Sequence, residues 1–299
     1  LTRPVKLLTA ATQKIADGNY AERVAESGSD EVGQLARNFN QMACAIEEKI
    51  NELSQSAQEK EDFAANFAHE LKTPLTSVIG YADRIYKKEL SRDAQKQAAW
   101  HIWNEGMRLE ALSLKLMDLT VLNHRNFVLE DIDAVLLLAE LAADVEYLMH
   151  EKGIAFLYTA QQAYIKADYD LFKTLFLNLV DNAAKAGASH IQVNGFLSDG
   201  TLRHHPGETN SRTQPAQLYT IQITDDGCGI PPEEIQRITE AFYMVDKSRS
   251  RKLHGAGLGL SLAQKIAEIH GSRLDFTSDG SSGTTVTIVL TPSVQDTDL

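Results

Sequence analysis

Apolar side chains recur at helical spacing in the first part of the chain. Alternating steps of three and four residues predict a short helix over residues 1–16 with a narrow coiled-coil seam. The turn-forming residues Asp17, Gly18 and Asn19 end this helix, and we expect an extended connector that reaches Asp30. The seam of the first helix comprises Leu1, Pro4, Leu8, Ala11 and Ile15.

A much longer helical pattern begins at Glu31, and no glycine occurs between Gly33 and Gly80. Its apolar seam changes phase after Ile46, which is typical of a stutter in a coiled coil or helical bundle. The first part of the seam comprises Val32, Leu35, Phe39, Met42 and Ile46. The seam passes through Ile50 and Leu53 and continues with Phe63, Phe67, Leu71, Leu75, Val78, Ala82 and Ile85.

A second long helix is predicted from Ala94 to Leu122, after a turn between Lys87 and Asp93. Two long amphipathic helices joined by a short turn form an antiparallel hairpin. Because two helices alone cannot bury both apolar stripes, we expect a dimeric four-helix bundle. The apolar face of the second helix comprises Ile102, Leu109, Leu112, Leu116 and Leu119.

The pattern changes after Asn123, where short β-like runs alternate with helical runs and predict an α+β domain with one layered sheet. Residues 198–217 are polar and predict a loose loop, and the tail from Ser293 is expected to fray. Strands are expected at 154–159, 191–196, 218–224, 273–277 and 284–290. Helices are expected at 135–151, 169–186 and 260–270.

The net charge and the cysteine content limit the partners and the cellular compartment that the sequence allows. The 299 residues carry 29 basic and 41 acidic side chains, a net charge of −12, which disfavours nucleic acid as a partner. Cys44 and Cys228 have no zinc-binding or CxxC spacing, so a reducing compartment is expected. No membrane-spanning run or signal peptide is visible. Because the chain begins with Leu1, we expect it to be a fragment.

The segment around His69 carries the first candidate chemistry. At 100° per residue, His69 lies about 200° from Phe67, which is an apolar seam position, so His69 is expected to face solvent. Thr73 lies one turn further along the same face, and Glu70 can accept the imidazole Nδ1–H, leaving Nε2 as a nucleophile. Pro74 removes a backbone donor and is expected to bend the helix. The alternative is a solvated surface histidine beside an ordinary ion pair.

A polar helix face follows in the α+β domain. Asn178 and Asn182 are four residues apart and share one face with Lys185, opposite a core face at Leu175 and Leu179. Two amides and an ammonium suit a hydrated Mg²⁺ with phosphates, because Mg²⁺ takes oxygen ligands and keeps waters. The alternative is a polar helix face without a function.

Two glycine-rich turns complete the candidate set. Asp225 ends a predicted strand and can accept a hydrogen bond from an exocyclic amine, while Gly227 and Gly229 let a flat ring approach the backbone. The second turn opens the helix at 260–270, where backbone amides can bind phosphates. It comprises Gly255, Gly257, Leu258 and Gly259, and it follows Lys247, Arg249, Arg251 and Lys252.

In this order, the motifs resemble those of bacterial two-component sensor histidine kinases. His69 to Leu75 is similar to the H-box, Asn178 to Lys185 to the N-box, Asp225 to Gly229 to the G1 box, and Gly255 to Leu260 to the G2 box. Phe242 and Tyr243 resemble the F-box, and residues 1–50 resemble a HAMP linker. The resemblance implies a parallel HAMP coiled coil at 1–52, a dimerisation and phosphotransfer hairpin at 53–124, and a Bergerat α/β-sandwich ATP-binding domain at 125–299.

The resemblance also implies residue roles. His69 is the phosphoacceptor, Glu70 assists proton removal, and Thr73 orients water for dephosphorylation of a partner. Asn182 ligates Mg²⁺ with support from Asn178, Lys185 contacts phosphate, and Asp225 binds the adenine amine of ATP. Two positions depart from the family pattern. Ala186 replaces a common adenine-stacking aromatic, and Met244 replaces a common basic residue, which leaves Lys247, Arg249 and Arg251 as candidates for the γ-phosphate.

The sequence therefore predicts the cytoplasmic part of a kinase whose parent is anchored in the bacterial membrane by an upstream segment. We expect a homodimer that autophosphorylates His69 and then transfers the phosphoryl group to an Asp of a response regulator, with phosphatase activity towards it. Two alternatives remain: a non-kinase ATPase of the same fold, and a silent or phosphatase-biased signalling module. Asn178 favours the kinase, because relatives that hydrolyse ATP carry a Glu there and an amide cannot act as a base.

Overall fold

A computed structural model describes residues 2–26, 30–124, 127–200, 216–245 and 257–293. The chain divides into two compact units, Leu1–His69 and Glu70–Leu299. Two long helices and a mixed α/β domain account for most of these residues, which confirms the predicted fold class. None of the described helices contains an apolar stretch long enough to cross a membrane.

The first unit contains helix α1 (Thr2–Ala16) and the beginning of helix α2 (Glu31–Lys87). The connector between them is fixed by Asn40, whose side chain accepts a hydrogen bond from the Val24 N–H and donates one to the Val24 carbonyl, both at 2.9 Å. A small core joins the two helices and comprises Leu8, Ala11, Ile15, Phe39 and Ala43.

The predicted seam at the start of α2 is only partly buried within one chain. Phe39 is in the core, whereas Leu35 and Met42 are exposed, and Ala36 and Ala43 are buried instead. The exposure of Leu35 and Met42 in a single chain does not test the predicted coiled-coil seam, which a second copy would cover. Apolar spacing identifies the side chains that need covering, but it does not show which of them a single chain covers.

Helix α2 continues through Pro74 to Lys87, so this proline does not end the helix. After residues 88–91 the chain returns in helix α3 (Arg92–His124), which confirms the predicted hairpin. Leu112 is buried within the chain, and the other residues of the predicted α3 face are partly buried. A second apolar stripe on α3 was not predicted and is exposed; it comprises Trp100, Trp103, Met107, Leu114, Met117 and Val121.

The C-terminal domain has a five-stranded sheet, formed by β2 (Ala155–Ala160), β4 (His190–Gly200), β5 (Ala216–Asp225), β6 (Leu274–Ser278) and β7 (Thr284–Leu290). The strand order is β2-β4-β5-β7-β6, and only β2 and β4 are parallel neighbours. Its helices are α4 (Ala134–Glu151), α5 (Tyr169–Lys185) and α6 (Gly259–Ile269). All eight elements agree with the sequence-based prediction to within a few residues.

Two short strands and part of a loop differ from the prediction. Strands β1 (Glu130–Asp133) and β3 (Tyr164–Ala167) form a small antiparallel sheet that apolar patterning did not indicate. The predicted loop at 198–217 is wrong at both ends, because residues 198–200 pair with residues 216–218 and extend the β4–β5 ladder. The remainder of this loop and residues 294–299 of the tail predicted from Ser293 lie outside the described residues.

The three helices and the sheet form one hydrophobic core. The helices contribute side chains such as Leu137, Phe172 and Leu262, and the strands contribute alternate residues such as Val193 and Ile221. Asp133 caps α4 by accepting hydrogen bonds from the Val135 and Leu136 amides, and Asp168 caps α5. This packing fixes α5 and α6 side by side, and both helices reach the candidate site.

Candidate nucleotide and phosphoacceptor sites

The polar side chains Asn178 and Asn182 lie at the edge of the buried face of α5. Phe172, Leu175 and Leu179 are buried, whereas Asn178 and Asn182 are partly buried. The Asn178 Nδ2 donates to the Thr174 carbonyl at 2.8 Å, and its Oδ1 faces Gly259, where an added Cβ would approach to 3.1 Å. The Asn182 Nδ2 is buried and has no hydrogen-bond partner in the described part of the chain. An unpaired buried amide is costly, which is consistent with a ligand site.

Lys185 is held by a partner that the sequence pattern did not identify. Its Nζ lies 2.6 Å from Oδ2 of Asp181, one turn earlier on α5. The other carboxylate oxygen of Asp181 lies 3.9 Å from Nζ of Lys152. Asp181 therefore positions Lys185 at the polar end of α5 and neutralises part of its charge.

Asp225 is buried at the end of β5. Its carboxylate accepts hydrogen bonds from the backbone N–H of Gly227, at 2.8 Å, and from that of Thr284. Burial raises the pKa of Asp225 above its ordinary value, although these two hydrogen bonds act in the opposite direction. Gly227 is required sterically, because a Cβ there would lie 2.8 Å from both Asp225 Oδ1 and the Ala186 Cβ.

The glycine turn before α6 is joined to the segment around Phe242. The Phe242 N–H donates to the Gly257 carbonyl at 2.8 Å, and both residues have left-handed backbones, with φ of 66° and 68°. This conformation is strained for Phe242, and a Cβ at Gly257 would meet the Phe242 backbone at 2.7 Å. Among the described residues no side chain caps the start of α6, and backbone amides at a helix start can bind an anion.

One cavity of about 320 Å³ brings most of the predicted binding residues together. The predicted residues that line it are Asn178, Asn182, Lys185, Asp225, Gly229, Gly257 and Gly259. Gly227 and Leu258 do not line it, and Leu258 is buried. Lys247, Arg249, Arg251 and Gly255 lie outside the described residues. Several lining residues had not been assigned a binding role, among them Lys115, Asp181, Ile230, Ile238, Tyr243 and Phe276.

The lining suits a nucleotide with its divalent cation. Asp225 supplies a buried acceptor, and Ile230, Ile238 and Phe276 supply apolar surface that Ala186 cannot. Among the residues that the structure describes, no cluster of three or more His, Cys, Asp or Glu could hold a metal by itself. Mg²⁺ usually needs only one or two protein ligands beside phosphate oxygens, and the amides of Asn178 and Asn182 fit that requirement.

The H-box residues lie on α2. His69 and Thr73 are both exposed, as the helical spacing predicted. Glu70 is mostly shielded, and its Oε2 accepts a hydrogen bond from an Arg108 guanidinium nitrogen of α3 at 3.3 Å. Arg108 was not a candidate in the sequence, because nothing local shows that the returning helix places it beside Glu70. The proposed contact between Glu70 and the His69 imidazole stays a prediction.

Fold and cavity together define an ATPase domain of the histidine kinase-, DNA gyrase B- and HSP90-like class, whose family model matches residues 167–294. The HAMP domain model matches residues 1–48, and the His Kinase A (phospho-acceptor) domain model matches residues 59–124. With these three matches along one chain, the protein belongs to the two-component sensor histidine kinases. The expected limits at 52/53 and 124/125 stay predictions.

Curated relatives agree with this assignment, and a solved structure shares the fold. The sensor histidine kinase YclK of Bacillus subtilis is 28% identical over 284 residues, which cover 94% of this chain but only 57% of YclK. The histidine protein kinase SaeS of Staphylococcus aureus is 29% identical over 299 residues, which cover 97% of this chain and 80% of SaeS. The structure of ThkA in complex with the response regulator protein TrrA shares the fold, with a TM-score of 0.59 at 18% identity, covering 84% of this chain and 68% of that one.

Proposed function

We propose that this chain phosphorylates His69 with ATP and then passes the phosphoryl group to an Asp of a response regulator. The observation that carries the proposal is the cavity that gathers Asn178, Asn182, Lys185 and Asp225, in a chain that also presents an exposed His69. We assign residues 1–52 to the HAMP linker, 53–124 to the phosphoacceptor hairpin and 125–299 to the catalytic domain.

The adenine of ATP is assigned to the Asp225 end of the cavity. The carboxylate accepts a hydrogen bond from the exocyclic amine, and the backbone turn at Gly227 keeps it in place. The apolar side chains of Ile230 and Phe276 supply the contact surface for the ring. Because this end is shielded from water, an unmatched polar group there would weaken binding appreciably.

The polyphosphate is assigned to Lys185, to the side-chain amides of Asn178 and Asn182, and to the first backbone N–H groups of α6. Asn182, supported by Asn178, holds Mg²⁺, which would neutralise phosphate charge when it is bound with the nucleotide. The acidic residues that line the described part of the cavity are Asp181 and Asp225. Asp181 is paired with lysines and Asp225 is assigned to adenine, so neither is available as a base for water. This supports transfer to a histidine over hydrolysis.

The phosphoacceptor step uses the His69 imidazole. Its Nε2 forms a bond with the γ-phosphorus while the bond from that phosphorus to the bridging oxygen breaks, and ADP leaves. The proton on Nδ1 passes to Glu70, which leaves the imidazole ring uncharged beside the anionic phosphoryl group. The Thr73 hydroxyl, one turn away, orients water in the return reaction that dephosphorylates the regulator.

The partners follow from exposed surfaces and from the relatives. The exposed apolar stripe on α3 and the exposed Leu35 and Met42 of α2 are covered in a homodimer. The solved structure of ThkA with TrrA supports a response regulator as the second partner. The match to the HAMP domain model and the sensor kinase relatives support our placing this chain in a longer parent protein that is anchored in the bacterial membrane.

Incubation with γ-labelled ATP and Mg²⁺ tests the proposal. The label should appear as an acid-labile, base-stable phosphoramidate, and His69→Ala should remove it without unfolding the chain. His150→Ala is the matched control, because His150 is also exposed on a helix but lies in the catalytic domain. Undiminished labelling of the His69 variant would contradict the assignment.

A further inference from the structure

Lys115 belongs to the hairpin, yet its side chain lines the cavity of the catalytic domain. It lies on α3, is partly buried, and shares the cavity with Asn182, Lys185 and Asp225. These three residues come from α5 and β5, so the cavity is built from two parts of the chain that are far apart in sequence. None of the sequence motifs includes this lysine.

The charges around Lys115 are not balanced. Lys185 is paired with Asp181 at 2.6 Å, and Lys152 lies 3.9 Å from the other oxygen of the same carboxylate. No salt bridge joins Lys115 to a carboxylate in the described part of the chain; Asp181 and Asp118 attract it only at longer range. Among the described charged side chains that line this end of the cavity, Lys115 and Lys185 are positive and only Asp181 is negative, so this end is positive within an acidic protein.

The surroundings of Lys115 destabilise its charged form. Burial is the largest cause that lowers the pKa of Lys115 below its ordinary value, and repulsion by Lys185 is the next. An anion in the cavity would offset both effects. It would replace the hydration that Lys115 loses on burial, and its negative charge would reduce the repulsion between Lys115 and Lys185. The nearest charged neighbours of Lys115 belong to the Lys185 end of the cavity, whereas Asp225 interacts with Gly227, Thr284 and Asp226.

We propose that Lys115 binds the polyphosphate of the nucleotide, so that the phosphoacceptor hairpin contributes directly to the nucleotide site. This inference rests on the proposed function, because it takes the cavity to be the ATP site. The hairpin and the catalytic domain then hold the nucleotide between them, and phosphate binding stabilises the contact between α3 and the cavity. A nucleoside without phosphates would not make this interaction.

Competition binding on the full chain tests the proposal. A fluorescent adenine nucleotide is bound in the presence of Mg²⁺, and its displacement by ADP is compared with its displacement by adenosine. Lys115→Gln should weaken ADP binding about tenfold, the effect of losing one charge-assisted hydrogen bond, and leave adenosine binding within about twofold. Lys115→Arg should restore most of the ADP affinity. Lys96→Gln is the matched control, since Lys96 is exposed on the same helix and does not line the cavity.

The outcomes separate this inference from the proposed function. Failure of the unaltered chain to bind ADP would overturn both. Normal ADP binding by both the unaltered chain and Lys115→Gln would overturn only the role of Lys115. An equal loss of ADP and adenosine binding in Lys115→Gln would also overturn it, because such a loss indicates altered folding. Lys115→Met, which keeps the aliphatic stem, guards against unfolding of the Gln variant and should show the same selective loss of ADP binding.

Discussion

Arg108 of α3 and Glu70 of α2 form an ion pair across the hairpin, with 3.3 Å between the guanidinium nitrogen and the carboxylate oxygen. Only 13% of the arginine side chain and 16% of the glutamate side chain are exposed. Water therefore screens this pair much less than an ordinary surface pair. Glu70 directly follows the proposed phosphoacceptor His69 in the sequence. The ion pair therefore joins the two helices beside His69 and fixes the rotamer of Glu70.

We expect a double-mutant cycle with Glu70→Gln and Arg108→Met to show a coupling free energy of about 1–3 kcal/mol, because each single change leaves a shielded charge without its partner. Chemical denaturation of the four proteins at one protein concentration measures this quantity. The exposed pair of Lys49 and Glu52 is the control and should show no measurable coupling. Strictly additive effects at Glu70 and Arg108 would show that the ion pair does not stabilise the hairpin.

Asp225→Asn should weaken ATP binding by about 1–3 kcal/mol, because the amide keeps one acceptor for the Gly227 N–H but turns a donor towards the adenine amine. Calorimetric titration with ATP and Mg²⁺ measures the change. Asp275→Asn is the control, since Asp275 is an exposed strand residue paired with Arg273 and does not line the cavity. Unchanged ATP affinity in the Asp225 variant would place the adenine elsewhere.

The exposed stripe of α3 should form the dimer contact. Leu114 and Met117 are 58% and 64% exposed in the single chain, so Leu114→Glu with Met117→Glu should abolish the homodimer while the helices remain folded. Light scattering over a concentration series, with circular dichroism as a check, measures both effects. Leu112 is a poor choice for this test, because it is already buried inside its own chain and a charge there would unfold the hairpin.

The control for the dimer experiment is Thr120→Glu, because Thr120 is exposed on the same helix but lies off the stripe. It should leave the molar mass of the dimer unchanged. A Leu114/Met117 double variant that remains dimeric at the same concentrations as the unaltered chain would mean that another surface holds the two copies together.

Helical periodicity predicted the parts of the site that lie within one element. Asn178 and Asn182 are four residues apart, so their common face follows from the geometry of α5 whatever surrounds it. Arg108 and Lys115 could not be predicted in the same way. Their roles depend on where the returning helix α3 meets α2 and the catalytic domain, and such long-range packing leaves no local sequence signal.

The missed strands have a different explanation. Strand β1 consists of Glu130, Asp131, Ile132 and Asp133, and three acidic residues in four have low strand propensity. Pairing with β3 overrides that preference, because backbone hydrogen bonds and the burial of Ile165 stabilise the small sheet. Local propensity is a weak predictor where a short segment is held by a partner that is distant in sequence.

His270 joins the end of α6 to the beginning of α5. Its Nε2 accepts a hydrogen bond from the Asp168 N–H at 3.1 Å, and its Nδ1–H donates to the Ile266 carbonyl at 2.8 Å, so the ring must be neutral. The ring is buried edge-on against Phe172. Burial lowers the pKa of His270 below its ordinary value, although the hydrogen bond to the Ile266 carbonyl and the carboxylate of Asp168 act in the opposite direction.

This lowered pKa makes stability depend on pH. Below the unfolded-state pKa of about 6.5 the unfolded chain binds a proton that the folded chain resists, so the free energy of unfolding should fall as the pH falls from about 6.5 towards the folded-state pKa. Denaturant unfolding at several pH values between about 5 and 7 measures this loss. His270→Gln should be less stable at pH 7 but should show a flatter dependence on pH. The Asp226 carboxylate, whose pKa is lowered to about 2 by hydrogen bonds from His190 and Ser189, loses its contribution only at much lower pH and does not interfere. An equally steep dependence in the His270 variant would assign the acid sensitivity to another group.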